Sequence, residues 1–243
     1  MIRVILHLAK AVAVIITAMM FFSCGLDMKR VDGSGNIITQ QRNAGSEFNS
    51  ISASGDIDVI IVQGAQRAIT VEADDNIQQH IKTEVKGGQL VIDADANFDS
   101  ASKKTITVVV PAVKEIESSA SARVKNKGTL KAEGLVIHSS SGSNIELSID
   151  AEEATYEASS GSSIKITGKA GKAEAKTSSG ATVDAGRAIS PKVKAEASSG
   201  GTTIVNAVDN LDANASSGGS ILYVNTPANL SKDVSSGGSV SQQ

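Results

Sequence analysis

Residues 151–180 read AEEATYEASSGSSIKITGKAGKAEAKTSSG and contain two Ser-Ser-Gly triplets, ending at Gly161 and Gly180. The same triplet ends at Gly142, Gly200, Gly218 and Gly237, so successive intervals are 19, 19, 20, 18 and 19 residues. A period this long and this regular marks a solenoid, in which each repeat is one coil stacked on its neighbours.

Chemistry within the repeat sets its phase. Counting from each glycine as zero, odd positions carry Ala154, Tyr156, Ala158, Ile164 and Ile166 around Gly161. They carry Leu211, Ala213, Ala215, Ile221 and Tyr223 around Gly218. Even positions carry the charges, among them Glu157, Lys165, Glu174, Lys176, Asp184, Lys194, Glu196 and Asp212. Alternation with period two predicts a strand with one buried face on either side of each corner. Followed from coil to coil, the even positions alternate in sign: Glu157, Lys176, Glu196; Glu174, Lys194, Asp212; Glu146, Lys165, Asp184. In a parallel stack such residues lie ~4.8 Å apart, where like charges repel and opposite ones attract. Residue n therefore sits over residue n+19. The reading is an all-β chain folded as a single-stranded parallel β-helix with ~19-residue coils.

The corner glycines Gly142, Gly161, Gly180, Gly200, Gly218 and Gly237 supply the positive φ of a sharp bend. The serines before them are expected to bond local backbone or the serine of the next coil. The buried face is built from small residues such as Ala173, Ala175, Ala195 and Ala197, which suits a narrow coil. Aromatic residues are scarce: no Trp, four Phe and two Tyr. That argues against an aromatic platform for sugars or single-stranded nucleic acid.

The first 23 residues have Arg3 and Lys10, an apolar run through Ile15-Ile16 to Phe21-Phe22, then Ser23. This is the pattern of a signal peptide, and it is short for a membrane span. Cys24 is the only cysteine, so no intramolecular disulfide can form. Its place resembles the lipid acceptor of bacterial lipoproteins, although Phe21 stands where Leu is usual. A secreted protein with an incidental cysteine is the alternative. Removing residues 1–23, with Arg3 and Lys10, takes the formal charge from −3 to −5. A mildly acidic chain without a basic block is a poor partner for nucleic acid.

The expected organisation is thus a signal peptide over 1–23, a lipid-anchored linker over 24–31, an irregular part of the β-helix over 32–127 and the regular repeats over 128–243. The irregular part is richer in Val and Ile, with Ser54-Gly55 and Ser119-Ala120 as worn corners, and predicts a thicker base. At ~19 residues per coil the mature chain predicts about ten coils. Its last residues, Ser239–Gln243, show no cap, so end-to-end self-association is expected. Lys232, at a nominally buried position, works against it.

An ordered series of motifs adds a family. Gly33-Ser34-Gly35-Asn36-Ile37, Arg42, Phe48, Ile51, Ser54-Gly55-Asp56-Ile57-Asp58-Val59 and Gln63-Gly64 come first. Val71-Glu72-Ala73-Asp74-Asp75-Asn76-Ile77 and Gly88-Gln89-Leu90-Val91-Ile92 follow. Residues 31–243 so read resemble the head GIN domain family of putative auto-transporter adhesins, common in lipoproteins of Bacteroidetes. The resemblance implies a parallel β-helix, right-handed as parallel crossovers usually are. It brings no catalytic residues.

A β-helix enzyme acting on polysaccharides would need clustered carboxylates on one face. Asp93, Asp95 and Asp99, with Asp74 and Asp75, are the best cluster, and a solvated face explains them as well. His80 and His138 are far apart, no paired histidine recurs near the corner serines, and no calcium-loop pattern occurs. The expectation is a non-enzyme without metal or cofactor: a lipid-anchored envelope scaffold that binds a glycan or protein. A passive structural rod and a carbohydrate-active enzyme are the other readings.

Overall fold

The computed structural model describes residues 29–243, so the leader and Cys24 lie outside the described residues. Among the described residues there is no α-helix and one short 3₁₀ turn, Gln78–His80.

The first five strands are β1 (Arg30–Asp32), β2 (Ile37–Arg42), β3 (Ser50–Ser54), β4 (Asp58–Gln63) and β5 (Ala68–Asp74). After the 3₁₀ turn come β6 (Ile81–Lys86), β7 (Gln89–Ala94), β8 (Asn97–Asp99) and β9 (Lys104–Val110). The coils proper begin with β10 (Glu115–Ser119), β11 (Arg123–Lys127) and β12 (Leu130–Ser139). They continue through β13 (Asn144–Ala158), β14 (Ser163–Thr177), β15 (Thr182–Ala197) and β16 (Thr202–Ala215). The last coils are β17 (Ser220–Tyr223), β18 (Asn229–Val234) and β19 (Ser239–Gln242).

Stacking follows the sequence period. β13 pairs with β14 in parallel, from Asn144 opposite Ser163 to Ala158 opposite Thr177, a displacement of 19 throughout. The odd positions named above are buried: Tyr156 is 1 % exposed and Ile164, Ala175, Val183, Ala213 and Ile221 are 0 % exposed. Each long strand runs out from one corner, bends, and returns toward the next. Two consecutive outward residues mark the bend, as at Glu152-Glu153 between the buried Ala151 and Ala154. The irregular intervals are absorbed on that far side. The extra residue of the 20-residue coil enters between the pairs Lys165/Asp184 and Thr167/Arg187, and the 18-residue coil recovers it between Asp184 and Lys192. The corners stay in line.

The stack has about seven turns rather than ten. Residues 32–127 are not all spent on successive coils. β3–β4 forms one layer, and β7–β9 lies beneath it, although it comes later in the chain. The chain then crosses β3–β4 to lay down β10–β11 on the other side. Antiparallel strands cover the lower end: β5 pairs with β9, β2 with β5, and β6 with β7. These hairpins hide edges that would otherwise invite pairing with another chain. Ile57, Ile92, Ile106 and Val108, each 0 % exposed, fill this thicker base.

Candidate functional site

Each corner is a four-residue turn closed by its own backbone. In Ser140–Ser143 the amide of Ser143 donates to the carbonyl of Ser140 at 3.1 Å, while Ser141 and Gly142 have φ of 52° and 71°. Two positive φ values in succession are those of a type I′ turn. All six triplets repeat it, with serine φ between 48° and 52°. Sequence reading placed the left-handed residue at glycine alone. The serine before it is left-handed too, a conformation that strains a residue with a Cβ.

The main chain also carries the stacking through the corner. Ser159 N donates to Ser139 O at 3.0 Å, and Gly161 N to Ser179 O at 3.1 Å. The serine following the glycine points inward and helps: Ser162 Oγ donates to Ser139 O at 2.7 Å, and Ser143 Oγ to Ser118 O at 2.8 Å. Among the described residues, the hydroxyls of the Ser-Ser pairs themselves find no hydrogen-bond partner. The expected bonding by these serines is therefore corrected: backbone does that work, and a double row of free hydroxyls remains.

Beside this row runs a groove of about 720 Å³. Its floor holds Ser119, Ser140, Ser159, Ser178, Ser198 and Ser216. Its wall is the outward column Glu117, His138, Glu157, Lys176, Glu196 and Asn214, one residue per coil, each paired with the next in register. The groove crosses the strands and follows the long axis of the solenoid. From Ser52 to Asn214 it spans seven strands, about 29 Å at the usual strand spacing.

The wall's charges satisfy one another. Lys176 Nζ lies 3.5 Å from Glu157 and 3.0 Å from Glu174; Lys194 lies 2.6 Å from Glu196 and 3.7 Å from Glu174. Lys165 and Glu146 are 3.8 Å apart. The sign alternation read from sequence is thus realised in register, although Lys165 and Lys194 make no ion pair with Asp184 or Asp212. The hydrogen bond from Lys176 holds Glu174 below the usual carboxylate range, and the same bond raises Lys176. The charges stay on, and carboxylates outnumber ammoniums along the wall.

His138 belongs to this wall, with Nδ1 3.2 Å from Glu157 Oε2. His138 stands two residues before Ser140 in the same coil, and stacking adds Glu157 from the next one. No serine hydroxyl bonds its ring, so the pair activates no nucleophile. At the corner, the amides of Ser140, Gly142 and Ser143 are all consumed by main-chain bonds. That leaves little to stabilise an oxyanion.

The aspartates do not form one cluster. Asp95 binds His80 at 2.6 Å and Lys82 at 3.0 Å, Asp99 lies 3.8 Å from Arg30, and Asp93 accepts from the amide of Ala94. Asp74 is no solvated residue, being 0 % exposed. It accepts from the amides of Gly35, Ser102 and Lys103 at 2.9, 3.3 and 3.0 Å. Burial works to raise its pKa, but these amides hold it below the ordinary value. Asp75 accepts from Ser34 and Asn36. The Gly33–Ile37 motif is thus a structural clasp closing on Asp74-Asp75-Asn76, and a Cβ on Gly33 would clash with the Asp74 carboxylate. Among the described residues, no group of three or more His, Cys, Asp or Glu is placed to hold a metal. Nor is any helix there long and apolar enough to cross a membrane.

Lys232 enters the last described coil opposite Ala213. Its ammonium lies 5.0 Å over the Tyr223 ring and donates to Tyr223 Oη at 3.3 Å and Val240 O at 3.2 Å.

A family model described as putative auto-transporter adhesin, head GIN domain, matches residues 47–227. Among solved structures, a putative adhesin from Bacteroides fragilis has a TM-score of 0.80 at 21 % identity, over 88 % of this chain and 100 % of its own. A putative lipid binding protein from Parabacteroides distasonis has 0.73 at 22 %, over 88 % and 100 %. A putative adhesin from Parabacteroides merdae has 0.69 at 19 %, over 88 % and 99 %. At such identities the likeness is one of fold. No curated protein matches the sequence.

Proposed function

The chain belongs to the head GIN domain family of putative auto-transporter adhesins, and from that membership we propose a non-catalytic, adhesion-type scaffold of the cell envelope, tethered by lipid on Cys24. The observation that carries the reading is the groove beside the corners. It offers free hydroxyls and charges that are largely paired with one another, and no activated nucleophile. Such a surface holds a ligand without transforming it.

Two other roles have less support. A lipid-carrying role would need room for acyl chains, whereas the coil interior is filled by Ile, Leu, Val and Ala side chains that are almost wholly buried. A rod joined end to end meets Lys232, expected at a buried position but exposed over Tyr223 in the last described coil, and a charge there keeps strand edges apart.

Protease treatment of intact cells tests the envelope reading, with a Cys24→Ser variant as control. The mature chain should be lost from intact cells, and the variant should appear in soluble fractions. Protection until the outer membrane is broken contradicts a surface role. Unchanged membrane retention of the variant contradicts the lipid tether.

A further inference from the structure

We infer that the groove takes an extended, neutral glycan chain, laid along the solenoid axis across the coils. The inference rests on the scaffold reading and gives its ligand a chemical class.

The groove is long and open, which suits a polymer better than a compact molecule. Pockets for small ligands are mostly apolar with a few polar groups. This one is about half polar, presenting hydroxyls, carboxylates, one imidazole, one ammonium and one carboxamide beside Ala158 and Ala197. Apolar protein side chains would find no pocket to fill, and such anchors carry most protein–protein affinity. An extended peptide cannot add itself as a strand, because the groove runs across the ladder and the strand amides there are already paired. Lys176 and Lys194 are held by Glu157, Glu174 and Glu196, and carboxylates still outnumber ammoniums along the wall, so a polyanion gains nothing from the field.

What the surface offers is hydrogen bonding, repeated once per coil. Ser119, Ser140, Ser159, Ser178, Ser198 and Ser216 each present a hydroxyl without a protein partner, able to donate and to accept. Glu117, Glu157 and Glu196 stand beside them as acceptors. A chain of sugar units carries hydroxyls of both capacities on every unit and no charge. Its units follow one another at a spacing close to the coil repeat, so many weak contacts are made in series. Without aromatic stacking, a single sugar should bind poorly. Affinity should come from the number of coils engaged, as with any multivalent contact.

The test uses the mature chain in affinity electrophoresis through gels cast with neutral mannan, xylan, galactan or mixed-linkage β-glucan, with polygalacturonate as acidic comparator. At least one neutral polymer should retard the protein, and polygalacturonate should not. Oligosaccharides of the retarding polymer should compete at least tenfold better as hexasaccharide than as disaccharide. Ser159→Leu with Ser178→Leu should abolish retardation at an unchanged melting temperature. If that pair does not fold, Glu157→Leu with Glu196→Leu on the outer wall serves the same purpose. Retardation by no neutral polymer, preference for the acidic one, or retention indifferent to the groove substitutions would overturn the inference. Beads coated with the protein separate this from the scaffold reading. Attachment to intact cells that survives the groove substitutions keeps the scaffold and removes the glycan groove. Neither attachment nor retardation removes both.

Discussion

The corner serine is the residue on which this architecture turns. Each occupies the first central position of a type I′ turn, where Gly, Asn and Asp are favoured and a serine Cβ is strained. Replacing it by asparagine should stabilise the fold by about 0.5–1 kcal/mol per corner. Ser141→Asn, Ser179→Asn and Ser217→Asn stand on alternate coils, far enough apart for their effects to add roughly. Together they should raise the melting temperature by about 4–8 °C. Gly180→Ala, whose φ is 69°, should lower stability by about 1 kcal/mol. No gain from the asparagines would mean that the serine backbone is relaxed. The glycine was legible because only glycine takes positive φ freely. The left-handed serine was not, since serine carries no such signature and a stack in register imposes the conformation.

At the scale of elements, the regular strands could be read and the base could not. Alternation of buried and charged positions predicted the strands beside the corners of β13 to β16, including partners such as Glu157 and Lys176, whereas the register shifts on the far side of β15 were not predicted. The same alternation in β5, β6 and β7 says nothing of direction, and these strands pair antiparallel. One local cue was present: Gly87-Gly88, with φ of 59° and 83°, joins Lys86 to Gln89 as a two-residue hairpin turn. The return of β7–β9 beneath β3–β4 has no local cue, because it depends on long-range pairing. Asp74 locks this cap by accepting three amides from distant segments. Asp74→Ala orphans those donors and should cost on the order of 3 kcal/mol at neutral pH, read from the urea midpoint. The native pKa is lowered. The stabilisation is therefore complete above the ordinary aspartate value of about 3.9 and disappears as pH falls through the native one. The gap between wild type and variant should narrow below about pH 4. A gap that ignores pH would show that the carboxylate charge plays no part.

For the whole molecule, the sequence period yields a rod with one face that repeats. Coil over coil, a wall column of alternating charge and a floor row of free hydroxyls extend in register for about 29 Å. The groove itself was hidden in the sequence. Within a coil its wall and floor residues stand only two apart, as Glu157 and Ser159 do, but the rows form only after coils have stacked, as when His138 joins Glu157. We propose that the protein attaches cells through this face. The most direct measurement is attachment of isogenic cells to a surface coated with neutral polysaccharide. Cells lacking the chain would be compared with cells displaying equal amounts of wild type or of the Ser159→Leu, Ser178→Leu variant. The account predicts that loss of the chain lowers attachment, wild type restores it and the groove variant does not. Equal attachment by all three would contradict it.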